Sequence, residues 1–179
     1  MPADQEGNCQ VAEALLLGRA SVLAAGREVP LPTRKALALV AYLALEGHTD
    51  RSKLSELLWT DLDRASARGN LRRELYRLRA TPLWTLLEIG ADQLGFRGGM
   101  STDVAAFQAH LDADRLAEAL ALYRGPLLCD LDLQGAEAFE LWLAERRGRP
   151  GEGHPEAPAR PSHAPENRGD LQGGLAGPL

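Results

Sequence analysis

Six arginines fall within one sixteen-residue stretch, Arg64, Arg68, Arg72, Arg73, Arg77 and Arg79, with Glu74 as its one acidic residue, in a chain of 179 residues whose formal net charge is -5. Guanidinium groups suit phosphate: the planar fork donates in parallel and does not deprotonate. They are also the commonest readers of guanine edges in the major groove of DNA. On a helix, Leu71, Leu75 and Leu78 form an apolar stripe and Gly69, Arg73 and Tyr76 fall opposite it. Arg68, Arg72 and Arg79 lie on one flank and Arg77 on the other. Glu74 has one basic partner at helical spacing, Arg77, and such a pair is weak, so pairing within the helix leaves five arginines unaccounted for. A solvated surface is the competing reading, because a charge run alone says little.

No other constellation points to chemistry. His48, His110, His154 and His163 lack ligand spacing, and Cys9 and Cys129 are far apart without Cys or His companions, so neither a zinc site nor a disulfide framework is expected. Asp130 and Asp132 read as turn and cap residues rather than a metal pair. No loop has a Walker or dinucleotide pattern. The expectation is a chain with no catalytic residues, no metal and no cofactor.

Charge is uneven. Residues 1–99 carry thirteen Lys/Arg against twelve Asp/Glu, residues 100–149 five against nine, and the remainder two against four. The acidity belongs to the second half, so an anionic partner for the first half is allowed. No apolar run approaches the roughly 20 residues of a membrane span, and the opening "MPADQEGNCQ" lacks the pattern of a signal peptide. A cytoplasmic protein without membrane contact is expected.

The elements that must hold the basic helix can be read on either side of it. Leu15 to Leu17, Ala20 to Leu23 and Glu28 to Leu31 are brief apolar pieces broken by Gly18 and Gly26, consistent with a small sheet, although Ala12 to Leu16 also has helical propensity. "TRKALALVAYLALEGH" is a helix capped by Thr33 and stopped by Gly47. "TDRSKLSELLW" is a shorter one with Asp50 as cap, and a sharp turn should join the two. Asp61 or Asp63 caps the arginine helix, and Pro82 keeps it from running on. Leu86 to Ile89 and Gln93 to Arg97 flank "GAD" as a hairpin. "TDVAAFQAHL", "DRLAEALALYRG" and "GAEAFELWLAERR" then read as short amphipathic helices, the first two each opened by a capping residue. From Pro150 the Pro/Gly-rich tail has no periodicity and is expected to be disordered, its removal leaving stability unchanged.

"LPTRKALALVAYLALEGHTDRSKLSELLW" followed by "ASARGNLRRELYRLR" resembles the winged-helix DNA-binding domain of SARP-type bacterial transcriptional activators. The matching features are Arg34-Lys35, the Arg51, Leu54, Leu58-Trp59 pattern, Ser66-Ala67-Arg68, and Leu75 with Arg77-Leu78-Arg79. "DVAAFQAHL", "ALALYRGPLLCDL" and "ELWLAERR" are similar to the start of the bacterial transcriptional activator domain, a helical-repeat module. The resemblance spans roughly residues 15–147 and implies an α+β fold: a winged helix over 12–99 with an N-terminal small sheet, a three-helix unit and a C-terminal β-hairpin wing, then a short all-α helical-repeat-like segment over 100–148 and a disordered tail over 149–179.

By the same resemblance the chain binds double-stranded DNA sequence-specifically, commonly at direct repeats, and recruits RNA polymerase. Arg72, Arg73 and Tyr76 are then the base-reading candidates, and Arg68, Arg77, Arg79, Arg34, Lys35 and Arg51 the phosphate-holding ones. Two departures stand out. The turn Gly90-Ala91-Asp92 has no Lys or Arg, and only three helices follow it, where stacked repeats need about three repeats with caps. The module reads as truncated or shifted in frame near Arg147, or else as followed by a natural tail. Phe139, Leu141, Trp142 and Leu143 should accordingly fold back on "DRLAEALALY" or on the sheet, or expose a patch that drives self-association. Activation should then be weak while DNA binding persists. The alternative function is a helical protein-interaction module whose basic helix meets an acidic protein.

Overall fold

The computed structural model describes residues 12–148. The expected disordered tail and Cys9 lie outside the described residues. The chain begins with a sheet: β1 (Ala12–Leu15) and β2 (Ser21–Ala24) pair antiparallel, β3 (Arg27–Glu28) adds to β2, and β7 (Ser101–Thr102) returns to lie parallel to β1. The ambiguous opening piece is therefore strand. Ala12 and Ala14 alternate inward against Glu13 and Leu15, the two-residue period of a half-buried strand.

α1 (Arg34–Glu46) starts where Thr33 accepts a hydrogen bond from the Ala36 amide and ends at Gly47, whose φ of 74° suits glycine. Its buried run from Ala38 to Leu43 makes it the central helix of the core. β4 (Thr49–Asp50) leads directly into α2 (Arg51–Leu58), and α3 (Arg64–Leu78) follows after five intervening residues. Asp63 caps α3 as expected, accepting from the Ala65 and Ser66 amides. Asp50 does not cap α2 with its side chain. It pairs in β4 instead, and the free Arg51 amide donates to the Asp92 carbonyl at 2.8 Å, so strand pairing replaces the cap.

A 3-10 turn over Pro82–Thr85, with the proline at its start, precedes the hairpin. β5 (Leu87–Ile89) and β6 (Gln93–Phe96) then form the expected hairpin. β6 is the middle strand of the order β4-β6-β5, with Thr49 opposite Leu94, so the hairpin is tied to the start of α2.

α4 (Asp103–Asp112), capped by Thr102, and α5 (Leu116–Leu122) pack on each other. Asp103 is buried and accepts from the Leu16 and Leu17 amides and from Arg124, fastening α4 to the end of β1. Asp114 does not cap α5. It takes a φ of 55°, and Arg115 stands at the cap position without a side-chain bond.

α6 (Glu137–Arg147) corrects a further expectation. It packs chiefly on α2, and through Trp142 and Arg146 on α1, not chiefly on α5 or the sheet. The Trp142 ring lies 4.8 Å from that of Tyr42, its indole N–H donates to Glu46 at 2.8 Å, and the Arg146 Nε donates to the same carboxylate at 3.0 Å. Phe139 and Leu143 are fully buried there, while Leu141 stays exposed. Arg147 donates to the Leu127 and Leu128 carbonyls. The apolar core runs without a break from β1 to α6. Among the described residues no helix is long and apolar enough to cross a membrane.

Candidate nucleic-acid interface

α3 buries Ala67, Leu71, Glu74, Leu75 and Leu78 and leaves its five arginines and Tyr76 outward, with Arg79 exposed at the cap position just past its end. Their surroundings separate them. Arg64 is paired with Glu56 at 3.0 Å. Arg68 donates to the Ser52 hydroxyl at 3.2 Å, Arg73 to Asn70, and Arg77 to Glu74. Arg72 has no hydrogen-bond, ion-pair or ring partner among the described residues, yet it lines three neighbouring clefts. The largest, about 620 Å³, lies between α2, α3 and the hairpin turn, bounded by Asp50, Arg51, Ser52, Arg68, Arg72 and Asp92. The second runs along the exposed face past Gly69, Arg73, Tyr76 and Arg77.

Tyr76 is 71% exposed, an unusual position for an aromatic ring without a partner molecule. Its ring is not unsupported. The Arg79 guanidinium lies 5.6 Å from the Tyr76 centroid and 5.0 Å from that of Trp84, a cation between two rings. Trp84 is only half-buried and shares a 340 Å³ cleft with Arg51, Arg72, Tyr76, Arg79 and Ile89. Sequence reasoning missed it because a 3-10 turn, not a strand, delivers it to the edge of α3.

Glu74 was the other omission. Only 6% exposed, it accepts from the Thr33 hydroxyl at 2.6 Å as well as from Arg77. The signal was present: residues 71, 74, 75 and 78 have the spacing of a single buried face. Arg51 donates to the Gly90 carbonyl at 3.3 Å, joining the start of α2 to the hairpin turn.

Two expected cations are elsewhere. Arg34 donates to the Asp130 and Asp132 carbonyls, and the Lys35 ammonium donates to the Leu58 carbonyl while lying 5.1 Å over the Trp59 ring. Burial holds the Lys35 pKa below the usual lysine value, against the opposing pull of Asp61, Glu137 and Glu74. Seven of the nine candidate residues thus share the surface formed by α3, the start of α2 and the hairpin; Arg34 and Lys35 do not.

No family model matches the chain, and no curated protein matches it. Among solved structures it is similar to EmbR of Mycobacterium tuberculosis, determined in complex with a low-affinity phosphopeptide, at 24% identity and a TM-score of 0.55. The match covers 75% of this chain and 42% of the EmbR chain, so this chain spans less than half of its neighbour. The likeness is one of fold. It agrees with a winged-helix-like arrangement of small sheets and helices.

Proposed function

We propose that the chain is a sequence-specific, DNA-binding transcription regulator that lays α3 in the major groove, with the β5–β6 hairpin as a wing beside it. The observation carrying this reading is the outward face of α3: five arginines and a supported, exposed tyrosine on a helix anchored behind by leucines. A helix of this kind fits the groove, and its projecting side chains reach base edges and phosphates. Arg72, Arg73 and Tyr76 are the base readers in this proposal. Arg51, Arg68, Arg77 and Arg79 hold phosphates, Arg79 while stacking on Tyr76.

Arg34 and Lys35 are left out because they stand away from the surface formed by α3, the start of α2 and the hairpin, on carbonyls of the segment 130–135 and of Leu58. The wing contributes little to phosphate binding, since Glu88 and Asp92 outnumber Arg97 along it. Residues 12–99 form the DNA-binding unit, and residues 100–148 the start of an activator module that would meet RNA polymerase.

The test is selection from random duplex DNA, followed by binding to the selected duplex and a scrambled one across a salt series. Neutralising about five phosphates gives a slope of log K against log salt of roughly -4 to -5. Binding that ignores both sequence and salt would point instead to an acidic protein partner.

A further inference from the structure

The strip of chain from Asp130 to Ala138 crosses the start of α1 and the turn between α2 and α3. Arg34 spreads its guanidinium over the carbonyls of Asp130, at 3.0 Å, and Asp132, at 3.3 Å. The Lys35 ammonium joins the Leu58 carbonyl, at 2.5 Å, to that of Gly135, at 3.5 Å. The Thr60 amide donates to Gly135 at 3.1 Å, and the Ala138 amide donates to the Thr60 hydroxyl at 3.2 Å. Gly135 has a φ of 65°, and a Cβ on it would lie 2.5 Å from the Asp61 carboxylate. Thr60 and Asp61 both belong to the α2–α3 turn. Leu58 closes α2, where a helix leaves carbonyls without intrahelical partners and favours a cation. On its other side the start of α1 holds α3 directly, through Thr33 and Glu74.

We propose that this strip braces the α2–α3 turn and fixes the angle at which α3 is presented, so that Arg34, Lys35 and Gly135 are positioning residues for base discrimination and not phosphate contacts. The discrimination part rests on the DNA reading of α3 given above. Bidentate contacts to base edges need narrow distances and angles. Long side chains reaching phosphates tolerate a tilted helix far better, and they carry no sequence information. Loosening the brace therefore lowers affinity for the correct sequence and spares general affinity. Since the strip connects α5 to α6, any partner that shifts those helices acts on DNA selectivity through it.

Two variants of the full chain leave the net charge alone. Gly135→Val disfavours the left-handed backbone and crowds Asp61. Arg34→Lys keeps the cation but loses the fork that spans two carbonyls. Amide hydrogen exchange without DNA reads the brace itself: residues 60–66 should exchange on the order of tenfold faster in both variants while the centre of α1 keeps its protection. Unchanged exchange at 60–66 in Arg34→Lys overturns the brace even if Gly135→Val does not fold. Binding is then compared on a duplex selected from random DNA and on its scrambled counterpart. The expected result is a loss of about tenfold on the selected duplex, less than about twofold on the scrambled one, and an unchanged salt slope. If Arg34→Lys instead binds as wild type while Arg34→Ala weakens both duplexes equally and flattens the salt slope by about one, Arg34 is a phosphate contact and the positioning role is wrong. If no duplex can be selected at all, the DNA reading fails, and the exchange result still decides whether the strip braces the turn.

Discussion

α3 and α6 use similar residues for opposite ends. Each is an amphipathic helix with arginines beside an aromatic side chain. In α6, Arg146 meets Glu46 and the Leu45 carbonyl, Arg147 meets two carbonyls, and Trp142 lies on Tyr42. In α3, Arg72 meets no such group and Tyr76 faces outward. Composition does not separate a structural arginine from a recognition arginine. Arg72 stands on the exposed face of α3 with no acceptor in reach among the described residues, whereas Arg34 and Lys35, held by main-chain carbonyls away from that face, belong with α6.

The largest effect that can test this contrast lies in α6. Phe139 is fully buried between α6 and the rest of the core. Phe139→Ala should cost about 3–5 kcal/mol of unfolding free energy, read as a lowered urea midpoint. A change below about 1 kcal/mol would mean that α6 adds little to the fold.

On α3 the same kind of truncation should leave stability alone. Arg72→Ala should change unfolding free energy by less than about 0.5 kcal/mol, while costing about 1–3 kcal/mol of discrimination at one base pair. Titrations against a selected duplex and its single-base variants measure the second quantity. A uniform loss over all duplexes would move Arg72 from base reading to phosphate contact.

Arg68→Ala sharpens the comparison within α3. Its guanidinium already leans on Ser52 beside the hairpin cleft, as a phosphate clamp would. Loss should be equal on every sequence, with the salt slope reduced by about one. A sequence-dependent loss would reassign it as a base reader.

Much of this arrangement was legible because it is local. Thr33, Gly47 and Asp63 act on their own helix ends, and the leucine stripe of α3 is set by its own period. The docking of α6 was not legible. Its partners Tyr42 and Glu46 lie about a hundred residues away, and no pattern in the sequence of α6 names them. The contacts of Arg34 and Lys35 were hidden for the same reason: their acceptors are main-chain carbonyls, which every sequence supplies and none advertises. The Asp50 cap failed because strand pairing with the hairpin competed for the same backbone.

The smallest expected effect concerns the start of α3. Asp63 accepts from the Ala65 and Ser66 amides and from the Ser66 hydroxyl, at 2.6 Å for the last. The Ser66 hydroxyl, foremost, and the two amides hold its carboxyl pKa below the ordinary aspartate value. A carboxylate whose pKa is lower folded than unfolded stabilises the fold at pH values above the unfolded pKa. That contribution fades as pH falls through the unfolded and then the folded value, when both states are protonated. Asp63→Ala should therefore lower the urea midpoint at pH 7, with the gap to wild type narrowing steadily below about pH 4. The neutral carboxyl still offers the amides an acceptor, so the gap should shrink without closing. A gap that stays constant from pH 7 to pH 3 would mean that the carboxylate charge contributes nothing and the cap acts through geometry alone.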